Sequence, residues 1–176
     1  MEPAQFRPVI PAMNTAVDKS WPRNIAYAAI TIGAVVVTSI LGQIATYPNL
    51  APWYASLAKP PFNPPNWVFA PVWTTLYVLM AFALWRVLRL PASAERRTAL
   101  MLFFLQLALN TAWSWMFFAA HSPVLGLVNI VPQLLVILSA IVAFWRLDRP
   151  AALCLVPLAG WVAFAALLNL AIVRLN

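Results

Sequence analysis

Five long apolar runs divide this chain, each bounded by charged or proline-bearing residues. They extend over about Ile25 to Tyr47, Trp67 to Leu88, Thr98 to Ala120, Val124 to Trp145 and Ala151 to Val173. Each is near the ~20 residues that carry a helix across the hydrocarbon core of a bilayer. None alternates with a period of two, and a barrel strand needs only ~10 residues, so strands fit the pattern poorly. The predicted fold is therefore all-α and integral to the membrane: a bundle of five transmembrane helices. Arg86 and Arg89 close the second run, and Glu95, Arg96 and Arg97 open the third. Arg146, Asp148, Arg149 and Pro150 separate the fourth from the fifth, and Ser122-Pro123 makes a very short link between the third and fourth. Trp21, Tyr47, Trp53, Trp67 and Trp145 fall near the predicted interfaces, where amphipathic rings settle.

Residues 1–24 read as a polar, proline-containing tail, expected to be mobile, and residues 25–176 as the membrane domain. Lys19 and Arg23 ahead of an apolar stretch also fit a signal peptide over residues 1 to about 45. The length of that run, and the need to tether the segment behind it, favour a retained first span.

Composition agrees with lipid as the solvent: 64% of residues are hydrophobic and 9% charged, against roughly 25% charged in a soluble domain. The net charge of +7 does not indicate nucleic acid, because the basic residues sit at the ends of apolar runs and not on one continuous face. With five spans, one side holds nine of them: Arg7, Lys19, Arg23, Arg86, Arg89, Arg96, Arg97, Arg146 and Arg149. The other side holds two, Lys59 and Arg174. This bias predicts a cytoplasmic N-terminus in a plasma-membrane protein, without choosing between an inner and an outer bacterial membrane.

Several chemistries are excluded. The chain has one cysteine, Cys154, and one histidine, His121, too few for an intrachain disulfide or a structural zinc site. No aspartate or glutamate lies within an apolar run, which removes a paired-carboxylate site from the membrane region and argues against ion-coupled pumping. His121 stands at a helix end, away from any nucleophile–base arrangement, and reads as interfacial structure. No glycine-rich phosphate loop exists. No metal is expected and no cofactor is required.

The segment Tyr47 to Pro65 carries more information. Six prolines in nineteen residues fix φ repeatedly and lower the entropy of the free loop. A stiff loop bearing Trp53, Tyr54 and Phe62 needs a surface to pack on, and the open end of the bundle supplies it. It reads as a lid between helices 1 and 2, with Pro64-Pro65 starting the second helix. Polar residues inside the runs are the second clue, since a buried polar group in lipid must find a partner. Gln106, Asn110 and Ser114 fall at i, i+4 and i+8, with Trp113 beside Asn110. Asn129 and Gln133 repeat the spacing, where interhelical bonding is the plainer reading. Trp73 and Tyr77 share a face of the second helix, and Trp161, Ala165 and Asn169 a face of the fifth. A site of tryptophans, an asparagine and proline suits a large, flat, mostly apolar ligand.

Those residues also fall into a known arrangement. Trp53-Tyr54-x4-Lys59-Pro60-x3-Pro64-Pro65-x-Trp67-Val68-Phe69-x-Pro71-x-Trp73-Thr74-x-Leu76-Tyr77 resembles the loop and second helix of the TspO/MBR family. That family includes the translocator protein, or peripheral benzodiazepine receptor, and bacterial tryptophan-rich sensory proteins. Gln106-Leu107-x2-Asn110-x2-Trp113-Ser114-x2-Phe117-Phe118 extends the likeness, as do Pro157-x3-Trp161 and Leu168-Asn169, over about residues 25–176. The resemblance implies a five-helix fold, a homodimer, and a pocket beneath the first loop for protoporphyrin IX, haem-related tetrapyrroles and benzodiazepine-type drugs. Carried over by position, the pocket takes in Tyr54, Pro64, Trp73, Asn110, Trp113, Trp161 and Ala165, with Lys59 placed to meet a propionate near the interface. Light-dependent porphyrin breakdown, proposed for bacterial members, would assign Trp73 and Trp161 as catalytic. Passive transport of tetrapyrroles or lipids is a further alternative. Ala108 and Ala112 make the small-residue step through which helices pair. Two departures stand out. Leu158 replaces a tyrosine common after the fifth-helix proline. The segment Leu168 to Arg174 lacks the aromatic of the sterol-recognition pattern, itself a weak motif.

Overall fold

The computed structural model describes residues 20–176; most of the predicted tail, residues 1–19, lies outside them. Helix α1 spans Ser20–Thr46, so the last residues assigned to the tail by composition are already helical. Helix α2 spans Asn66–Leu88 and α3 Ala94–Ser114, the latter running on through a wider helical turn at Trp115–Ala119. Helix α4 spans Pro123–Leu147. A short α5, Arg149–Leu153, leads into α6, Val156–Leu175, and together they make the fifth span. Five stretches are long and apolar enough to cross a bilayer, and no strand occurs among the described residues.

Helix starts follow the capping chemistry written in the sequence. Ser93 Oγ accepts from Arg96 N–H at 3.1 Å and Ser122 Oγ from Leu125 N–H at 3.2 Å, each satisfying a donor that a first turn leaves orphaned. Asp148 Oδ1 does the same for Ala151 N–H at 2.9 Å. Its carboxylate also receives Arg86, with Nε at 3.0 and 3.1 Å from the two oxygens and one terminal nitrogen at 3.0 Å. Arg96 donates to the last carbonyls of α2, Val87 and Leu88, at 3.1 and 2.7 Å. The basic end of the bundle is thus tied across α2, α3 and the α4–α5 turn.

That end is also solid. Met80, Leu84 and Val87 of α2 pack with Phe103 of α3, Phe144 of α4 and Leu155 ahead of α6. The small residues Ala83, Ala99, Ala140, Ala151 and Ala152 are fully buried among them, which lets the backbones approach closely. Phe103 stacks on Phe144 with ring centroids 5.8 Å apart. Leu158, at the position of the family tyrosine, is buried in this core.

The lid starts as a continuation of α1. Tyr47–Asn49 forms a tight helical turn and Leu50–Tyr54 a wider one. A turn then closes from Pro60 O to Asn63 N–H at 2.9 Å. Pro65 precedes the first turn of α2, which begins at Asn66, so Pro64-Pro65 set the approach to the helix instead of opening it. All three lid aromatics find partners. Trp53 meets Phe117 edge-on at 5.5 Å, Tyr54 lies 5.5 Å from Phe118, and Phe62 reaches Phe164 at 6.4 Å. Trp53 is therefore not an interface anchor like Trp21, Tyr47, Trp67 and Trp145, which are all exposed.

Candidate functional site

A cavity of about 380 Å³ lies in the other half of the bundle, under Leu50 and Tyr54 of the lid. Each wall is one face of a helix. Trp73 and Tyr77 come from α2, one turn apart, with Phe69 one turn nearer the lid. Trp161 and Ala165 come from α6, with Leu168 and Asn169 beyond them. Asn110, Trp113 and Ser114 come from α3, and Ile130 and Gln133 from α4. Helix α1 supplies a polar strip of Ser39, Gln43 and Thr46. A wider depression of about 1030 Å³ involves only residues 92–105. It is an open groove on the outer side of one helix, with no facing wall to enclose a ligand.

The cavity is aromatic and carries no ionised group. Trp73 lies tilted against Tyr77 at 5.6 Å, and Trp161 meets Phe69 edge-on at 5.8 Å. The indole N–H of neither Trp73 nor Trp161 is spent on a partner among the described residues. Trp113 is different. It donates to Asn169 Oδ1 at 3.2 Å, while Asn169 Nδ2 donates to Pro123 O at 2.7 Å. One face of Trp113 is covered by Phe117, stacked at 4.9 Å. Trp113 is a fixed wall with its donor already used. This locked corner depends on Gly126, where a Cβ would stand 2.8 Å from Asn169 Oδ1 and 2.9 Å from Phe117. Asn110 is buried, lines the cavity, and leaves Nδ2 without a partner. An orphaned amide in a low-dielectric interior costs about 1–3 kcal/mol, a cost that an acceptor reaching Nδ2 would offset.

Of the residues expected at the site, Tyr54, Trp73, Asn110, Trp113, Trp161 and Ala165 all line this one cavity. Lys59 and Pro64 do not. The Lys59 ammonium turns back on the lid, donating to Tyr54 O at 2.6 Å and Leu57 O at 3.0 Å and lying 4.5 Å over the Tyr54 ring. It closes the end of the lid's helical turn, where free carbonyls attract a cation. Pro64 accepts from Asn63 Nδ2 at 3.0 Å, inside the lid itself. Gln133, Asn169 and the α1 strip line the cavity without having been expected there. The i, i+4 spacing of Ser39 and Gln43 is the signal that marks the strip in the sequence.

The lid is held at two points. His121 stacks on Trp53 and sits 2.7 Å from Asn49 Oδ1 through Nε2. At the far end, Asn176 pairs with Ala58 through both its amide atoms, at 3.0 and 3.1 Å. His121 stands in the left-handed region with φ of +51°, at the position past a helix end that glycine most often fills.

Residues 29–175 match the TspO/MBR family. The chain belongs to that family. Among TspO/MBR relatives, the tryptophan-rich protein TspO of Chlorobaculum tepidum is 42% identical, over 88% of this chain and 98% of its own length. A tryptophan-rich sensory protein of Cereibacter sphaeroides is 39% identical over 70% of this chain and 77% of its own. The translocator protein of Ovis aries is 40% identical over 66% and 70% respectively. With the five apolar helices, TspO/MBR membership makes this an integral, multi-pass membrane protein.

Proposed function

We propose that the protein binds tetrapyrroles such as protoporphyrin IX, along with flat drug-like ligands of the benzodiazepine type, and so senses or passes porphyrins in the membrane. The observation that carries this reading is the uncharged cavity walled by Trp73, Trp113 and Trp161, with Asn110 in its lining, under a stiff lid. At about 380 Å³ the space is at the small end of ligand pockets, which run ~300–1,000 Å³. A drug-sized ring system fits within it. A full macrocycle extends toward Gln43, Ala70 and Thr74, cavity residues on the open seam between α1 and α2, with its propionates directed to the lid end, where the spans meet the interface. Relatives named as sensory and translocator proteins are in keeping with either role. Trp73→Phe and Asn110→Ala are each expected to weaken quenching of tryptophan fluorescence by protoporphyrin. Unchanged affinity in both variants rejects the site.

A second reading, light-dependent porphyrin degradation, is favoured by one observation: Trp73 and Trp161 both wall the cavity. Net oxidation there would pass electrons from the light-excited macrocycle to dioxygen, and an indole that relays an electron would recover it from the macrocycle. Soret absorption lost no faster than in detergent alone rejects it. The basic-residue bias puts the Arg86–Asp148 end in the cytoplasm and the lid on the opposite side. Ala108, exposed on α3 near Phe104 and Leu105, is in keeping with pairing to a second copy.

A further inference from the structure

Four carboxamides lie buried on α3 and α4: Gln106, Asn110, Asn129 and Gln133, with 1, 6, 5 and 2% of their surface exposed. Gln106 turns to α2, donating to Met80 Sδ at 3.4 Å and leaving Oε1 without a partner. A ladder whose members served only to join the helices would close on itself. This one does not. Asn129 Nδ2 donates to the backbone carbonyl of Leu109 at 2.9 Å, which fixes which way that amide faces. The same nitrogen reaches Gln133 Oε1 through a long 3.5 Å contact. Turning the Gln133 amide over would set two NH₂ groups against each other. Gln133 therefore keeps its oxygen toward Asn129. Its Nε2 has no partner among the described residues, and the side chain lines the deep end of the cavity. Asn110, one wall away, adds a second unpartnered nitrogen.

We propose that Gln133 is a fixed hydrogen-bond donor to the ligand, and that the deep end of the cavity selects molecules presenting an uncharged carbonyl oxygen. This rests on the cavity being the ligand site. A donor whose amide is oriented by its own oxygen accepting from Asn129, and whose nitrogen has no hydrogen-bond partner among the described residues, is complementary to a lone-pair oxygen. The oxygen must be neutral. No cation lines the cavity, the Lys59 ammonium is engaged with lid carbonyls, and a carboxylate taken from water needs a counter-charge to offset its desolvation. Ketones, lactams, amides and esters meet the requirement. An ionised propionate does not, so an acidic ligand inserts its neutral end and leaves its charge at the lid end, at the interface.

Benzophenone and diphenylmethane share a skeleton and differ at the carbonyl, and both are small enough for the cavity. Titrated into the purified full chain, benzophenone is expected to bind about tenfold more tightly, as one hydrogen bond to a buried donor allows. Gln133→Leu should remove that preference, read as the ratio of the two affinities within the variant, with helical circular dichroism and melting reporting that the variant is folded. If the leucine variant loses diphenylmethane binding, Gln133→Met, unbranched and similar in length, repeats the comparison. The carbonyl stretch of bound, ¹³C-labelled benzophenone should move to lower wavenumber in the parent protein and return to its apolar-solvent position in the variant. Equal affinity for the two probes in the parent, or a preference and stretch shift surviving in both variants, overturns the proposal. Protoporphyrin binding without any carbonyl preference overturns this donor role alone. A carbonyl preference in a protein that binds no porphyrin keeps the donor and rejects the tetrapyrrole reading.

Discussion

His121 lies flat on Trp53, with ring centroids 4.7 Å apart and planes 13° from parallel. The residue that ends the third span thereby clamps the start of the lid, and it does so from a backbone conformation that costs a non-glycine residue about 1 kcal/mol. Such strain persists where surrounding contacts hold it in place; here those contacts are the Trp53 stack and the Asn49 hydrogen bond.

His121→Gly separates the two effects. It relieves the backbone and removes both contacts, so the global melting temperature is expected to stay nearly constant. Amide hydrogen exchange across residues 49–54 should rise about tenfold, in line with losing a ring pair and a hydrogen bond of roughly 1 kcal/mol each, part of which the bundle recovers. His121→Ala keeps the strain, loses the contacts, and should melt lower than His121→Gly. Equal lid exchange in all three proteins would mean that the clamp does not hold the lid.

Gly126 is the position where one added methyl matters most. Gly126→Ala places a Cβ against Asn169 Oδ1 and Phe117, the pair that holds Trp113 in place. The expected loss of stability is about 1–3 kcal/mol, typical of overpacking a close contact. A thermal melt in detergent measures it, and the Trp113 contribution to fluorescence should shift as the Asn169 bond breaks. Gly160→Ala is the control, because a Cβ there meets nothing within 4 Å.

Much of this was legible in the sequence. The five spans and the lid follow from apolar runs long enough to cross a bilayer and from prolines that stiffen the one long loop. Helical spacing put Trp73 with Tyr77 and Trp161 with Ala165 on shared helix faces, and the TspO/MBR resemblance placed those faces on a common pocket. What spacing cannot give is direction around the helix axis relative to neighbours. Gln133 and Asn129 share one pattern, yet Asn129 turns to the backbone of α3 and Gln133 to the cavity. Lys59 was the converse case. A lone cation near the lid suggested a ligand carboxylate, but three lid carbonyls within 3.4 Å take its hydrogens first. His121 gave no sign of its role, because its partners Asn49 and Trp53 lie far away in sequence.

At the opposite end, burial raises the Asp148 carboxyl, but hydrogen bonds from Arg86 and Ala151 N–H and the Arg86 charge outweigh it and hold the group below its ordinary value. A carboxylate depressed in the folded state contributes stability above its unfolded pKa of ~3.9 and loses it as pH falls through the folded value. Melting temperature should therefore be flat in this respect above pH ~5 and decline below ~4. Asp148→Asn should flatten that acid limb and lower the neutral plateau. A limb of equal depth in the variant would assign acid sensitivity to another group.

The measurement that bears most directly on the whole account is a protoporphyrin titration of Ala165→Phe. Ala165 contributes no polar atom of its side chain and stands on the α6 wall opposite no charged group, so a phenyl ring there fills space and alters little else. With the helical circular dichroism and melting of the variant close to those of the parent, affinity is expected to fall at least about tenfold. An unchanged affinity in the folded variant would place the ligand somewhere other than the cavity beneath the lid.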